Sequence, residues 1–314
     1  MEEPMGYAVV LGEALVDLLD GECDGEPVYR QAIGGAPLNV AVGAARLGAT
    51  VEFVGSFGDD ALAGRLRAFL TGAGVGQRGT VTVRAPTTLG VATFTGAEPE
   101  FRFYGEPPSY GLLDPDALDA DLVRGAAVLY CGSIALLQPP VRAAARRAWS
   151  LATGLRVFDP NVRPRLLDGP DAVAGLRAVV AEFAARADLV KLSSADAEVL
   201  YDGAAPERAA DRIRELGART VVVTCGARGA LVADDAGTTS VPAPQVQAVD
   251  ATGAGDSVMA ALIADLLADG LPDRAGWPDR VGYALRVAGL VCESRGGAVS
   301  MPTRAQVAAR FDGS

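Results

Sequence analysis

Val249-Asp250-Ala251-Thr252-Gly253-Ala254-Gly255-Asp256-Ser257 is a run of small residues closed by a carboxylate. Met259, Leu262, Ile263, Leu266 and Leu267 then recur at helical spacing, and Gly270 with Pro272 supplies a stop. Gly253–Asp256 should therefore open a helix. Such an end presents unpaired backbone N–H groups and a partial positive charge, so it favours an anion. Glycines let a phosphate approach the backbone closely. Asp256 reads two ways at this stage, as an ordinary helix cap or as a base held beside bound phosphate.

Working outward, the 314-residue chain is half apolar, enough for a sizeable core. Its formal net charge of -11 argues against nucleic acid or an anionic membrane as partner, since both need a basic face. There is no histidine, which excludes Ser-His-Asp and Cys-His catalysis and any His-ligated metal. The four cysteines form no C-x-x-C pair and read as reduced thiols of a cytoplasmic protein. The start lacks a basic signal-peptide region, and no apolar run approaches the ~20 residues of a membrane span.

Along the chain, Tyr7–Leu19 reads as a long strand, or one bent near Gly12, and Pro27–Ala32 as a short exposed strand. Gly34-Gly35-Ala36-Pro37 opens a helix that Gly48 closes. Thr50–Val54 is a buried strand, and Gly58-Asp59-Asp60 turns into a helix ending near Gly72. Thr80–Tyr104 alternates around a turn at Gly96-Ala97-Glu98-Pro99, as hairpins do. With Pro27–Ala32 it predicts a separate small sheet, a flap drawn from about 14–32 and 80–106. From Asp114 short apolar runs (Ala127–Cys131, Leu155–Asp159, Leu189–Leu192, Thr220–Thr224) alternate with helical segments such as Val141–Ala152, Val173–Ala185 and Ala209–Leu216. That spacing predicts a parallel sheet with helices on both faces. Ala230–Ala233 and Thr239–Val241 form an edge hairpin. No linker is long enough to split the chain, so residues 1–314 are expected to be one domain.

In open parallel sheets ligands bind beyond the carboxyl ends of the strands. Asp159-Pro160-Asn161-Val162-Arg163 lies at such an end, as do Lys191 with Ser193, Ser194 and Asp196, and Thr224-Cys225-Gly226-Ala227-Arg228-Gly229. Singly, each has an ordinary reading: a surface arginine, a solvated lysine, turn glycines. Lys191 is the only lysine and follows Leu189-Val190, so there is no P-loop.

Gly34-Gly35-Ala36-Pro37-Leu38-Asn39-Val40-Ala41, closing with Ala45-Arg46-Leu47-Gly48, resembles the N-terminal motif of the ribokinase-like (phosphofructokinase B-type) carbohydrate kinases. Asp250–Asp256 resembles their C-terminal motif, D-T-x-G-A-G-D, and Gly55–Asp60 and Val223–Gly229 fit between. Gly12-Glu13-Ala14-Leu15-Val16-Asp17, Asp159–Arg163 and Lys191-Leu192-Ser193 resemble the fructokinase branch. The resemblance implies a three-layer α/β/α core with a mostly parallel sheet and a small β-sheet lid. It implies phosphorylation of a sugar hydroxyl by ATP with Mg²⁺. Carried over, Asp256 is the base, and Gly253, Ala254 and Gly255 complete an anion hole with it. Asp17, Gly34, Gly35, Asn39, Phe103 and Arg163 hold the sugar. Lys191, Ser193, Thr224, Gly226 and Gly229 line the nucleotide side. Asp196 holds Mg²⁺ through water, and Asp250 neighbours a monovalent cation, K⁺, in some members. A homodimer through the lid is also implied.

Three residues depart from the family pattern. Ala251 replaces the usual Thr, Asp196 replaces the Glu of N-x-x-E, and Gly105 stands where related lids carry an arginine. Fructose is the expected acceptor. A 2-keto-3-deoxygluconate, other sugar or nucleoside kinase is the alternative within the class. A non-catalytic sugar- or nucleotide-binding regulator is the alternative outside it.

Overall fold

The computed structural model describes residues 6–95, 98–272 and 276–312. Its strands are β1 (Ala8–Leu11), β2 (Leu15–Cys23), β3 (Glu26–Gly34), β4 (Val51–Phe57), β5 (Gly76–Thr82), β6 (Leu89–Thr95), β7 (Glu98–Tyr104), β8 (Val128–Gly132), β9 (Leu155–Asp159), β10 (Leu189–Ser193), β11 (Thr220–Thr224), β12 (Ala230–Asp234) and β13 (Gly237–Val241). The helices are α1 (Ala36–Arg46), α2 (Ala61–Gly72), α3 (Ala120–Arg124), α4 (Pro139–Leu151), α5 (Gly169–Ala184), α6 (Ser194–Leu200), α7 (Pro206–Glu215), α8 (Ala254–Asp269), α9 (Trp277–Cys292) and α10 (Arg304–Phe311). None of the described helices is long and apolar enough to cross a membrane.

Nine strands form one sheet in the order β13-β12-β11-β10-β9-β8-β1-β4-β5. It is parallel from β11 to β5, and β12 pairs antiparallel with both its neighbours. Both faces are covered over the inner strands, so β1, β8 and β11 are short, buried, mostly apolar runs, as a doubly covered sheet requires, while the edge strands β5 and β13 are more polar. Val10, Tyr130 and Val157 face the layer of α1, α2, α8 and α9, while Val9, Leu129 and Phe158 face that of α3 to α7. The chain leaves β1 in two directions, to β4 on one side and β8 on the other. This reversal opens a crevice at the carboxyl ends of β1, β8 and β9.

The second sheet runs β3-β2-β6-β7. Its two hairpins are antiparallel, but they meet through a parallel β2–β6 pair, so the lid is a mixed sheet. Of the two readings of Tyr7–Leu19 the bend near Gly12 holds: the strand breaks between Leu11 and Leu15, where the chain passes from the central sheet into the lid. A side chain at Gly12 would lie 2.2 Å from Pro37 of α1, so only glycine fits that corner. Thr80–Thr82, expected in the lid, is not part of it. It belongs to β5, paired in parallel with β4, and its alternation is that of an edge strand with one covered face. The expected turn residues Gly96 and Ala97 lie outside the described residues. Asp60 anchors the lid's root: it caps α2 through the Ala63 N–H at 2.9 Å and accepts from the Thr87 N–H at 2.7 Å.

α1 and α8 pack closely. A Cβ on Gly43 would stand 2.7 Å from the Cβ of Ala260. One helical turn before these residues come Asn39 and Asp256, whose side chains hydrogen bond at 2.7 Å. Gly43→Ala should therefore cost stability although alanine is the better helix former by about 1 kcal/mol. The methyl clash gives a net loss of about 1–2 kcal/mol in urea unfolding. Gly43→Ala combined with Ala260→Gly should return close to wild type. If the single variant is as stable as wild type, the contact is looser than the geometry shows.

Candidate active site

A cleft of about 570 Å³ lies between the lid and the carboxyl edge of the central sheet. Asp17, Gly35, Asn39, Phe103, Arg163, Gly253, Gly255 and Asp256 all line it. Each reaches it for a local reason. Gly253 caps α8 with φ of +79°, a left-handed turn that glycine takes without strain. Asp256 follows in the first helical turn, where a carboxylate gains from the helix dipole. It is 7% exposed, so its charge must be met locally. Asn39 Nδ2 donates to its Oδ2 at 2.7 Å, and Asn161 Nδ2 donates to its Oδ1 at 3.2 Å. Both oxygens thus face amide donors from opposite sides. Among the described residues, none of these bonds is the helix cap that the bland reading of Asp256 requires, and Gly253 has no side-chain cap at all.

The sugar-side expectations converge on the opposite wall. Asp17 stands in the middle of the lid on β2, paired across to Gly90 on β6. A Cβ on Gly34 would lie 2.2 Å from Asp17 Oδ2, and one on Gly90 2.5 Å from Oδ1. The carboxylate lies between two glycines, and Phe103 pairs across from Gly90 on the next strand. Gly35 has φ of +108°, and a Cβ there would lie 2.6 Å from the Glu13 carbonyl. Burial pushes Asp17 up to about 6, with Arg163 pulling the other way.

Lys191, expected on the nucleotide side, is 2% exposed, with Nζ 2.8 Å from Asp159 Oδ2 on the neighbouring strand. Burial lowers its pKa, but Asp159, Asp196 and Asp256 outweigh that and hold it above the ordinary lysine value. A Cβ on Gly255 would lie 3.1 Å from Nζ, so the ammonium sits directly beneath the α8 turn. Asp196 is also turned inward. Its oxygens accept from the N–H groups of Ser193 at 2.7 Å and Val162 at 2.8 Å, in a capping box that starts α6. Each of its oxygens is thus already engaged by the backbone. Asp250 ties two loops together, accepting from Thr252 N–H at 2.9 Å and Gly296 N–H at 3.1 Å. Thr224, Gly226 and Gly229 end β11, two strands beyond β9 and outside the cleft lining. Gly229 has φ of +95° with the Val241 carbonyl against it, and Gly226 faces open space.

Among the lining residues not expected in the site, two carry polar contacts that matter, Asn161 and Glu13. Asn161, buried with φ of +39°, was legible only as part of a turn. Glu13 is 1% exposed and accepts from the Ala135 N–H at 3.1 Å. Its signal was a carboxylate directly after a buried strand, where an acidic side chain needs a reason. Burial pushes Glu13 up to about 7, against hydrogen bonds from Ser133 and Ala135 that lower it. A raised folded-state pKa means stability that is fully present below the ordinary glutamate value and lost as pH rises toward about 7. Over that window the loss is roughly 3 kcal/mol. Glu13→Gln should remove this slope. Thermal melting between pH 5 and 8 without sugar should show the wild type losing stability relative to the variant, and parallel curves would remove Glu13 as the titrating group.

The description "pfkB family carbohydrate kinase" belongs to the family profile that matches residues 5–304. Fructokinase-1 of Zea mays is 34% identical over 313 residues, which cover 95% of this chain and 95% of that protein. Probable fructokinase-3 of Arabidopsis thaliana is 32% identical over 310 residues, covering 95% and 89%. Among solved structures, fructokinase with bound ATP from Xylella fastidiosa superposes with a TM-score of 0.87 at 26% identity over 98% of each chain. Fructokinase from Vibrio cholerae O395, bound to fructose, ADP and calcium ion, gives 0.86 at 28% identity over 98% of this chain and 99% of that one. With its glycine motifs, covered parallel sheet and lid, the chain belongs to the pfkB family of carbohydrate kinases.

Proposed function

We propose that this protein is an ATP-dependent fructokinase. The observation that carries the reading is Asp256: a buried carboxylate at a helix N-terminus, fixed on both oxygens and facing a cleft walled by Asp17, Asn39 and Arg163. A binder that does no chemistry needs no such group, which sets the kinase above the regulator. The fructokinase relatives and the fructose- and ATP-bound neighbours support the substrate pair. Among the described residues that line the cleft, three carboxylates, Glu13, Asp17 and Asp256, face two arginines, Arg163 and Arg165. Arg163 already donates to Asn161 and to the Val162 carbonyl at 3.2 Å. That balance favours a neutral sugar over a carboxylated one.

In this reading Asp17, Asn39, Arg163 and the Gly34-Gly35 backbone fix the sugar. Asp256 takes the proton of the attacking hydroxyl as its oxygen bonds to the γ-phosphorus, and ADP leaves with the β–γ bridging oxygen. A loose transition state asks little basicity early, so a carboxylate suffices. N–H groups of the Gly253–Asp256 turn, backed by the Lys191 ammonium, meet the charge on the transferring group. The lid excludes water, which otherwise accepts the phosphoryl group. Ser193, Thr224, Gly226 and Gly229 lie toward the nucleotide. Mg²⁺ suits a site with one inward carboxylate, Asp196, because it keeps its waters and takes phosphate oxygens, whose charge it neutralises. K⁺ beside Asp250 would steady the loops that Asp250 joins. A cytosolic setting and one domain are part of the same reading, as is a homodimer. Tyr29 and Tyr104, each 53% exposed on the lid's outer strands, are apolar surface for a second copy.

ADP release should appear with fructose and fall for 2-keto-3-deoxygluconate, nucleosides and sugar-free ATP. Asp256→Asn should lower kcat by about 100-fold or more with a smaller change in sugar KM. Sugar binding with no sugar-dependent ADP release would favour the regulator instead. Light scattering should give twice the chain mass, and Tyr29→Glu should shift it toward the monomer. A monomeric wild type would remove the lid dimer.

A further inference from the structure

We propose that Asn161 is a positioning residue which sets the Asp256 carboxylate and keeps it apart from Arg163. The inference rests on the kinase reading for its kinetic consequences, but its geometry stands without it. Arg163 and Asp256 carry opposite charges on one cleft. A direct salt bridge between them would take the base and the sugar-side cation out of use together. Asn161 lies between. Its Oδ1 accepts from Arg163 Nη1, and its Nδ2 donates to Asp256 Oδ1 at 3.2 Å. Only this amide orientation satisfies both neighbours, because the flipped one sets oxygen against carboxylate and N–H against guanidinium.

The amide is not free to swing. The Asn161 backbone N–H donates to Asp159 Oδ1 at 3.0 Å, and Asp159 Oδ2 accepts from the buried Lys191 at 2.8 Å. The next N–H, that of Val162, donates to Asp196 Oδ1 at 2.8 Å. The residue itself holds a left-handed backbone, φ +39°, which asparagine tolerates better than most. Lys191, Asp159, Asn161 and Asp256 thus form one hydrogen-bonded line from the sheet to the reacting oxygen, with Arg163 attached at Asn161. Asn39 closes the other side of the carboxylate at 2.7 Å.

Two substitutions separate the two hydrogen bonds of the amide. Asn161→Gly removes both and keeps the left-handed backbone, so it should fold. Asn161→Asp keeps an oxygen toward Arg163 and replaces the donor facing Asp256 with a second carboxylate oxygen. Crystal structures of the wild type and Asn161→Gly, both without ligands, are the readout that does not depend on the substrate. Arg163 is expected to move onto Asp256 in the variant. Unchanged positions of both side chains would overturn the proposal. In steady-state kinetics Asn161→Gly should lower kcat by about 10–100-fold and raise sugar KM severalfold. Asn161→Asp should lower kcat comparably while sugar KM stays within about twofold. Wild-type kcat in Asn161→Asp, or a change in melting temperature alone for Asn161→Gly, would reduce Asn161 to a structural turn residue. Absence of sugar-dependent turnover in the wild type would instead remove the kinase reading, and the crystal structures would still decide the role of Asn161.

Discussion

The contact of α1 with α8 is the constraint on which the cleft depends. Gly43 lets the two helices approach until Ala260 fills the space where its side chain would be. One turn earlier on each helix, that spacing brings Asn39 to Asp256. The sugar-side motif and the phosphate-side motif lie more than two hundred residues apart in sequence, and this packing joins them. A wider spacing would leave the buried Asp256 with one donor fewer, and an unpaired buried carboxylate is costly. Core packing and the placement of the reactive group are therefore the same contact here.

Charge is the second constraint. Glu13, Asp159, Asp196 and Asp256 are all buried at the carboxyl edge of the sheet, and Lys191 is the buried cation that answers them. Burial pushes the Asp159 carboxyl up to about 6 even though Lys191 pulls it down. Removing either partner of such a pair costs about 3–5 kcal/mol, because the remaining charge is stranded. The remaining carboxylates are met by neutral donors instead: amides for Asp256, backbone N–H groups for Asp196 and Glu13. Neutral donors hold a carboxylate in place without cancelling its charge. That suits a site in which one carboxylate must still accept a proton.

Much of this was legible in the sequence, for physical reasons that also mark the limits. Leu155–Asp159 and Thr220–Thr224 read correctly as strands because buried parallel strands are short apolar runs with sharp ends. Gly253 and Gly34-Gly35 stood out because a left-handed cap and a close approach demand glycine. Thr80–Thr82 misled because alternation reports one covered face, and an edge strand of a parallel sheet has that as surely as a hairpin does. The buried ion pair of Lys191 was not legible, because a lysine at a strand end taken singly reads as solvated and its partner lies on a neighbouring strand 32 residues away. Gly90 was silent: a lone glycine in an alternating strand signals a close approach, but not that Asp17 makes it.

The departures from the family pattern also have structural reasons. Gly105 adopts φ of +109°, a conformation in which an arginine side chain would be strained, so its identity follows from the backbone path out of β7. Asp196 is one methylene shorter than glutamate, and its carboxylate reaches back to the Ser193 N–H within its own first turn while also holding Val162. Through Val162 it fixes the backbone between Asn161 and Arg163. The shorter acid is thus also part of the support for the sugar-side residues. Whatever it offers a metal, the shorter acid is in the folded chain a brace on the loop that carries Asn161, the residue bonded to Asp256.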